Sequence, residues 1–269
     1  MYSIHYPCHS YDQILDVLST IKTHSPQTSS LPLVDFWHPK RNIIQKKKLF
    51  SLIGCDKMNP NFVDYCFEYP TPAYKNGKSG TTIRYSKSSM TDLMILFGDK
   101  TRITIEAKYT EYVKEDVYTP ILKDWYKGES HKKEILQCWI DYIHKNECGD
   151  ISIVDDLLNT CGELPYQFLH RTASACFNCE HPILIYQLFY DKKDIGRMNR
   201  FETLLQQSAK SLKIKANKLP FYIIENEVIG YPKKWKGDAS GIFNEMKQNP
   251  QYQISDSIVI LDGYTLKRI

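Results

Sequence analysis

Apolar side chains recur at helical spacing in two segments near the N-terminus. The first spans residues 11–23, and the stretch 24–32, rich in Ser, Thr and Pro, then breaks its pattern. The second, residues 40–50, is basic and spaces its apolar residues so that one side of a helix would be buried. We therefore expect a helical N-terminal extension over residues 1–58.

A β-hairpin in the middle of the chain is the clearest local pattern. Residues 92–97 read as a strand, residues 98–100 as a turn and residues 101–108 as an alternating partner strand. Because residues two apart in a strand point to the same face, Glu106 and Lys108 emerge together. The hairpin therefore predicts a polar face that ends in an acidic and a basic side chain.

The register of this hairpin decides whether a second carboxylate joins that face. If Phe97 lies opposite Thr101, then Asp92 lies directly across from Glu106. A register shifted by one residue would place Asp92 opposite the apolar face and separate the two carboxylates. The position of Asp92 is therefore a test of the prediction.

The rest of the chain alternates helices with strands. Helices are predicted over residues 132–145, 165–177 and 197–213, and strands over residues 182–190, 221–224 and 257–261. This alternation is typical of an α/β fold. No internal repeat or low-complexity linker divides the sequence, so we expect a single domain over residues 1–269.

Composition favours a folded, soluble protein. Of the 269 residues, 42% are hydrophobic, which is enough to bury a substantial core. No leader pattern and no membrane-spanning apolar run is present, so we expect a cytoplasmic protein without membrane contact. The eight cysteines are then expected to be reduced thiols. The net charge of +4 tolerates a polyanionic partner without requiring one.

Two carboxylates and an ammonium at the end of a hairpin suit the hydrolysis of phosphodiester bonds. That reaction needs a hard cation held by oxygen ligands, a positioned water and stabilisation of developing negative charge. Asp92 and Glu106 are the candidate metal ligands, and Lys108 is the candidate for orienting the water. The ordinary alternative is that Glu106 and Lys108 form a surface ion pair on a solvated strand.

The motif Thr91-Asp92, followed by Glu106-Ala107-Lys108, resembles the PD-(D/E)XK nuclease superfamily. In that superfamily a strand-borne Asp is followed, across a hairpin, by an acidic-x-Lys triplet. Here a Thr stands where the name-giving Pro would be. The resemblance covers roughly residues 60–190 and implies a restriction-endonuclease-like core, in which a central mixed β-sheet is flanked by helices.

The resemblance also implies an activity, a cofactor and partners. The expected function is a Mg²⁺-dependent endonuclease of the restriction or anti-phage defence type, for which Mn²⁺ can substitute. Double-stranded DNA is the expected partner, with RNA or single strands as alternatives. The chain would act as a homodimer or as a subunit of a defence complex. The alternative function is a catalytically inactive nucleic-acid-binding or assembly subunit with the same fold.

The superfamily also suggests additional site residues. Its members often add an acidic residue from an upstream helix, for which Glu68 is the best-placed candidate here. Some carry a Gln on the helix after the triplet, and Gln137 and Gln167 compete for that role. We favour Gln167 as a catalytic candidate because Arg171 shares its helical face and offers a phosphate clamp. His170, on the adjacent face, is as readily a satisfied core histidine.

Two basic segments are candidates for contact with a nucleic-acid backbone. Lys46, Lys47 and Lys48 fall within the basic helical pattern near the N-terminus. Lys233 and Lys234 lie between aromatic residues in a second basic run. Charge and stacking together suit such contacts, although either segment is equally typical of a solvated surface.

The side chains that usually bind zinc occur around Cys176 and Cys179, with His181 two residues later and Cys161 upstream. No second Cys-x-x-Cys pair is present, and Cys176 ends an apolar helix, where a buried thiol is common. We therefore do not predict a structural zinc site.

Overall fold

A central mixed sheet with helices on both faces forms the body of the protein. The computed structural model describes residues 11–20, 28–38, 40–76, 82–84, 89–98, 100–109, 120–231, 239–249 and 259–269. Within these residues the chain is an α/β protein, as the alternating pattern predicts.

The helices are distributed along the whole described chain. They are α1 (Tyr11–Thr20), α2 (Ser30–Phe36), α3 (Ile43–Leu52), α4 (Leu122–Tyr126), α5 (Ser130–Lys145), α6 (Val154–Cys161), α7 (Tyr166–Cys176), α8 (Ile195–Ser211) and α9 (Ala239–Gln248). A 3₁₀ turn over Lys192–Asp194 leads into α8. The helices predicted around residues 132–145, 165–177 and 197–213 are confirmed as α5, α7 and α8.

The strands form one large sheet and a separate two-stranded ribbon. They are β1 (Asp64–Thr71), β2 (Tyr74–Asn76), β3 (Thr82–Arg84), β4 (Ser89–Phe97), β5 (Thr101–Lys108), β6 (His181–Tyr190), β7 (Phe221–Gly230), β8 (Ile260–Leu261) and β9 (Thr265–Arg268). The ribbon pairs β2 with β3. The buried strand predicted at residues 182–190 is confirmed as β6.

Strand direction changes across the large sheet, whose order is β1-β4-β5-β6-β7-β8, with β9 also paired to β7. The pairs β1–β4 and β4–β5 are antiparallel, whereas β5–β6 and β6–β7 are parallel. A parallel connection needs a crossover, and α7 lies within the segment that joins β5 to β6. The crossover therefore brings α7 over the strands of the hairpin.

Two hydrophobic cores, one on each face of the sheet, hold the helices in place. Residues of α1, α2, α3 and α9 pack in the first core with Ile105 of β5. Residues of α4 to α8 pack in the second with Tyr186 of β6. The N-terminal helices predicted as an extension thus cover one face of the sheet.

The two faces of β5 are both buried. Ile103 and Ile105 belong to the first core, as the alternation predicts. Thr104 and Glu106 point to the other face and are also fully buried. The polar face of the hairpin is therefore covered by protein rather than by solvent.

A chain of buried hydrogen bonds links the N-terminal helices to the C-terminal strands. Trp37 directly follows α2, and its indole Nε1 donates to Oε1 of Gln187 over 2.7 Å. Gln187 donates in turn to Oδ1 of Asn226 over 2.9 Å, and Asn226 donates to the carbonyl oxygen of Gly263 over 2.8 Å. These bonds satisfy polar groups that would otherwise destabilise the core.

None of the helices in the described residues is long and apolar enough to cross a lipid bilayer.

Candidate active site

Asp92 and Glu106 converge at one end of the β4–β5 hairpin. The pair Leu93–Ile105 fixes the register, which sets Asp92 directly opposite Glu106 and confirms the predicted pairing. Oδ2 of Asp92 accepts a hydrogen bond from the backbone N–H of Ala107 over 2.7 Å. The two carboxylates therefore share one face of two adjacent strands.

Glu106 accepts hydrogen bonds from three side chains. Nζ of Lys108 donates to Oε1 over 2.7 Å, and Nε2 of Gln167 donates to the same oxygen. Nε of Arg171 donates to Oε2. Lys108 lies on the same strand, whereas Gln167 and Arg171 lie one turn apart on α7. The crossover helix and the hairpin thus build the site together.

The two candidate glutamines lie in different places relative to the carboxylates. Gln137 lies on α5, where its Nε2 donates to Asp141 and to the carbonyl oxygen of Ser152, both over 2.9 Å. Gln167 lies at the start of α7 and reaches Glu106. The structure therefore brings Gln167 to the carboxylates and leaves Gln137 in local contacts of its own.

Glu68 lies on β1 and not on a helix, which corrects its expected setting. The β1–β4 pairs on either side set it opposite Asp92, although Glu68 itself leaves the ladder with φ 50°. That left-handed conformation is uncommon for a residue with a side chain. Burial raises the pKa of Glu68 to about 6, against the effect of Arg171 and with the help of Glu106. A third carboxyl group thus stands beside the pair.

The acidic groups at the site outnumber its cations. Burial raises the pKa of Asp92 well above its usual value, and Glu106 and Glu68 raise it further. Burial acts on Glu106 in the same direction, but the charges of Arg171 and Lys108 outweigh it and hold the pKa of Glu106 below its usual value. Three acidic groups therefore face two cations in a buried space.

The N-terminal helices form one wall beside these carboxylates. Glu68 and Asp92 border a small cavity that is also lined by Ile14 and Leu18 of α1 and by Leu33 of α2. Residues far upstream in the sequence thus limit access to the acidic groups.

The donor set suits a hard divalent cation. Glu106 keeps acceptor capacity on Oε2, and Asp92 keeps Oδ1, because Ala107 occupies only Oδ2. Mg²⁺ is commonly held by one or two carboxylates and completes its shell with water and substrate phosphates. Within the described part of the chain, no group of three or more His, Cys, Asp or Glu side chains is placed to hold a metal ion. Asp92 and Glu106 thus offer two carboxylate groups with free acceptor capacity, which is the donor chemistry that a hard cation would need.

The predicted backbone-binding lysines of α3 do not share one surface. Lys46 is fully buried, where its Nζ donates to the carbonyl oxygen of His38 over 2.7 Å. Lys47 and Lys48 are exposed. The prediction of a surface contact is therefore wrong for Lys46, because its ammonium finds a carbonyl acceptor inside the fold.

The other residues predicted to contact a nucleic-acid backbone do not form a simple basic surface either. Arg171 is buried, and its Nε and Nη1 donate to Glu106 and Ser89 rather than to solvent. The expectation that Arg171 clamps a phosphate with two hydrogen bonds is therefore corrected, because two donors of its guanidinium already bind protein groups. Lys233 and Lys234 lie outside the described residues.

The cysteines considered for zinc have other contacts. Sγ of Cys179 donates to the carbonyl oxygen of Lys100 over 3.2 Å, and Sγ of Cys161 donates to the carbonyl oxygen of Ser211 over 3.3 Å. Burial and a hydrogen bond with Cys148 hold the pKa of Cys176 well above its usual value. These thiols are protonated groups of the core at neutral pH.

Sequence reasoning missed Ser89. Its Oγ accepts a hydrogen bond from Nη1 of Arg171 over 2.7 Å and also bonds to Nδ1 of His170. Ser89 precedes Asp92 by three residues and lies outside the strand predicted at residues 92–97, and a lone Ser there gives no signal. The contact depends on α7, which is distant in sequence.

Comparison with known proteins gives a family but no activity. No curated protein matches the chain. No solved structure matches it either. Residues 7–227 match a family described as a domain of unknown function, DUF6946. That match spans most of the sequence, and the chain therefore belongs to the DUF6946 family.

Proposed function

We propose that this protein is a metal-dependent endonuclease that hydrolyses phosphodiester bonds in DNA. The observation that carries the proposal is the register that sets Asp92 opposite Glu106, with Lys108 bonded to the same carboxylate. A solvated strand face would not bury these groups, yet Glu106 is fully buried and Lys108 nearly so. Burying charges is costly, and clusters of this kind concentrate at functional sites.

The topology around the site supports a restriction-endonuclease-like core. β1, β4 and β5 form an antiparallel meander, and β6 then runs parallel to β5 after α7. The PD-(D/E)XK resemblance calls for the same order of hairpin, helix and buried strand. The proposal therefore covers the core as well as the site that it carries.

Each group at the site has a chemical task in the proposed reaction. Asp92 and Glu106 would hold Mg²⁺, or Mn²⁺ in its place, and the bound cation would polarise the phosphate and acidify a water. Lys108 orients the attacking water through its N–H groups and offsets the charge that develops on the phosphate oxygens. Gln167 and Arg171 fix the carboxylate of Glu106.

Glu68 is suited to proton exchange. A carboxyl group with a pKa of about 6 changes its protonation state close to neutral pH, as a general acid or base must. Its position opposite Asp92 keeps it within the acidic cluster. We assign Glu68 to moving a proton rather than to binding the phosphate.

The substrate side of the proposal rests on exposed cations. Lys47 and Lys48 lie on the outer side of α3 and would contact phosphates of double-stranded DNA. A role in restriction or anti-phage defence, as a homodimer or as a subunit of a complex, follows by analogy with nucleases of similar core. The location of such an enzyme would be the cytoplasm.

A cleavage assay tests the proposal directly. The purified chain is incubated with supercoiled plasmid, single-stranded DNA and RNA, each with Mg²⁺, Mn²⁺ or EDTA. Nicking or linearisation that needs the metal and disappears in Asp92→Asn supports the proposal. If that variant still cleaves, the cleavage comes from a contaminating nuclease and does not support the proposed function.

A non-catalytic subunit is the second candidate, and one observation favours it. Lys108 and Arg171 already neutralise Glu106, and Gln167 adds a third hydrogen bond, so Glu106 is satisfied without a cation. Calorimetric titration with Mn²⁺ separates the two functions. Binding that is lost in Asp92→Asn favours the nuclease, whereas absence of binding with retained DNA affinity favours the inactive subunit.

A further inference from the structure

Arg171 connects the two strands that carry the acidic pair. Its Nε donates to Glu106 on β5, and its Nη1 donates to Oγ of Ser89 on β4 over 2.7 Å. The same Ser89 oxygen bonds to Nδ1 of His170, the residue before Arg171 on α7. One guanidinium thus joins three elements at the end of the hairpin.

The direction of each hydrogen bond follows from the chemistry of the partners. A guanidinium only donates, so Oγ of Ser89 accepts from Arg171. The Ser89 hydroxyl hydrogen is then available to donate to Nδ1 of His170, with Nδ1 as the acceptor. This requires the neutral imidazole with its proton on Nε2.

The surroundings of His170 keep it neutral. Burial lowers its pKa well below the usual value, and the charges of Arg171 and Lys108 lower it further. Nη1 of Arg171 also lies 3.3 Å from Nδ1 of His170, a contact that a protonated Nδ1 would make repulsive. The hydrogen-bond pattern and the charges therefore agree on one tautomer.

A nucleophilic role for Ser89 is disfavoured by the same contacts. The bond from Arg171 draws electron density from Oγ and occupies a lone pair that an attacking oxygen would use. His170 meets Ser89 through Nδ1, and burial beside Arg171 and Lys108 lowers its pKa, which weakens it as a base. The pair is therefore arranged to hold a position rather than to react.

We propose that Ser89 and His170 are positioning residues that orient Arg171, and through it Glu106, for the reaction. The proposal rests on the proposed nuclease function. Rotation of the guanidinium away from Ser89 would misalign its Nε, which sits on the same rigid plane, and would release Oε2 of Glu106. Ser89 thereby sets the orientation of a carboxylate that it does not touch.

Substitutions at Ser89 provide the kinetic test. Ser89→Ala removes both bonds and should lower kcat by about tenfold to a hundredfold, as loss of an outer hydrogen bond at a metal site commonly does. KM should change little, because Ser89 does not touch the substrate. Ser89→Thr keeps the hydroxyl and should restore most of the rate. Ser208→Ala, which removes a serine from α8, is the control and should cut like the wild type.

Substitutions at His170 separate positioning from packing. His170→Asn places an amide oxygen near the position of Nδ1 and should retain more activity than His170→Leu, which offers no acceptor. Equal loss in both variants, or Ser89→Thr as slow as Ser89→Ala, would overturn the proposal. A uniform rise in KM with unchanged kcat would also overturn it.

A nuclear magnetic resonance measurement tests whether Ser89 positions Arg171, without relying on activity. The Nε–H of Arg171, held by Glu106, should give a resolved and slowly exchanging signal in the wild type. That signal should broaden or vanish in Ser89→Ala but persist in Ser89→Thr and Ser208→Ala. A signal unchanged in Ser89→Ala overturns the positioning role of Ser89, even if the wild type cuts nucleic acid. If Ser89→Ala loses the signal but the wild type cuts no substrate, the positioning role of Ser89 is supported and only the proposed nuclease function is rejected.

Discussion

The backbone N–H of Ala107 donates to Oδ2 of Asp92 over 2.7 Å, so a side chain of β4 is held by the main chain of β5. Ala107 lies between Glu106 and Lys108, and the bond therefore anchors Asp92 at the centre of the triplet. The geometry of the acidic pair depends on strand register rather than on flexible side chains. Preorganisation of this kind is what a metal-dependent hydrolase requires.

Removing either charge of the acidic pair should abolish cleavage while nucleic-acid binding survives. Asp92→Asn and Glu106→Gln keep the shape of the side chain but weaken its hold on a cation. We expect a loss in rate of at least about a hundredfold and an unchanged dissociation constant for DNA measured in EDTA. Asp64→Asn, at an exposed acid of the same sheet, is the matched control and should retain full activity. Wild-type cleavage by Asp92→Asn would exclude this carboxylate as a ligand.

Lys108→Ala should lose activity that excess metal does not restore. The ammonium positions water and offsets negative charge, and additional Mg²⁺ supplies neither in the same place. A decrease of about a hundredfold to a thousandfold is expected in a time course of plasmid nicking. Lys100→Ala, at an exposed lysine in the hairpin turn, serves as the control. Recovery of the Lys108→Ala rate at high Mg²⁺ would limit the role of Lys108 to holding the carboxylate of Glu106 for the metal.

The exposed lysines of α3 should determine part of the salt dependence of binding. Each phosphate contact that is lost lowers the slope of log affinity against log salt by about one. Lys47→Gln combined with Lys48→Gln should therefore flatten the slope in fluorescence anisotropy titrations. Lys210→Gln, an exposed cation on α8, should leave it unchanged. An unaltered slope in the double variant would mean that α3 does not touch the nucleic acid.

The hairpin could be predicted from sequence because its signals are local. Strand alternation assigned Glu106 and Lys108 to one face. The register that brings Asp92 opposite was one of two that the sequence left open, and the structure has it. The burial of that face could not be predicted, because it depends on Arg171 and Gln167 of a crossover helix distant in sequence. Local patterns thus located the acidic pair but not the network that encloses it.

The basic helix shows the opposite result. The charges of residues 46–48 suggested a common exposed surface, and the apolar residues of the segment suggested one buried side of the helix. In the structure Lys46 is buried and Ile44 is 82% exposed. An ammonium can occupy the core where a carbonyl oxygen accepts its hydrogen bond, here that of His38. Helical periodicity does not reveal an acceptor that lies outside the helix, eight residues upstream.

The buried Lys46 should make stability depend on pH above neutrality. Burial and the nearby charge of Arg41 lower the pKa of Lys46 from 10.5 to about 7. Below about pH 7 the folded and unfolded chains both carry the proton, and the cost of the buried charge is present in full. Between pH 7 and 10.5 only the unfolded chain binds it, so this cost is relieved as pH rises. The contribution of Lys46 to the free energy of unfolding should rise by about 1 kcal/mol per pH unit.

Urea unfolding of the wild type and of Lys46→Met at pH 7, 8 and 9 measures this effect. The chosen range lies below the titration of the buried Tyr65, whose ring lies 5.0 Å from the Lys46 ammonium and whose pKa burial raises. The difference in free energy of unfolding, wild type minus variant, should increase across the series, because Met has no proton to lose. Lys46→Met also removes one of the two donors to the carbonyl oxygen of His38, which keeps the backbone N–H of Arg41. This loss shifts all three values by the same amount and does not alter the slope. A difference that stays constant from pH 7 to 9 would mean that Lys46 remains charged in the folded protein and that its environment stabilises the ammonium.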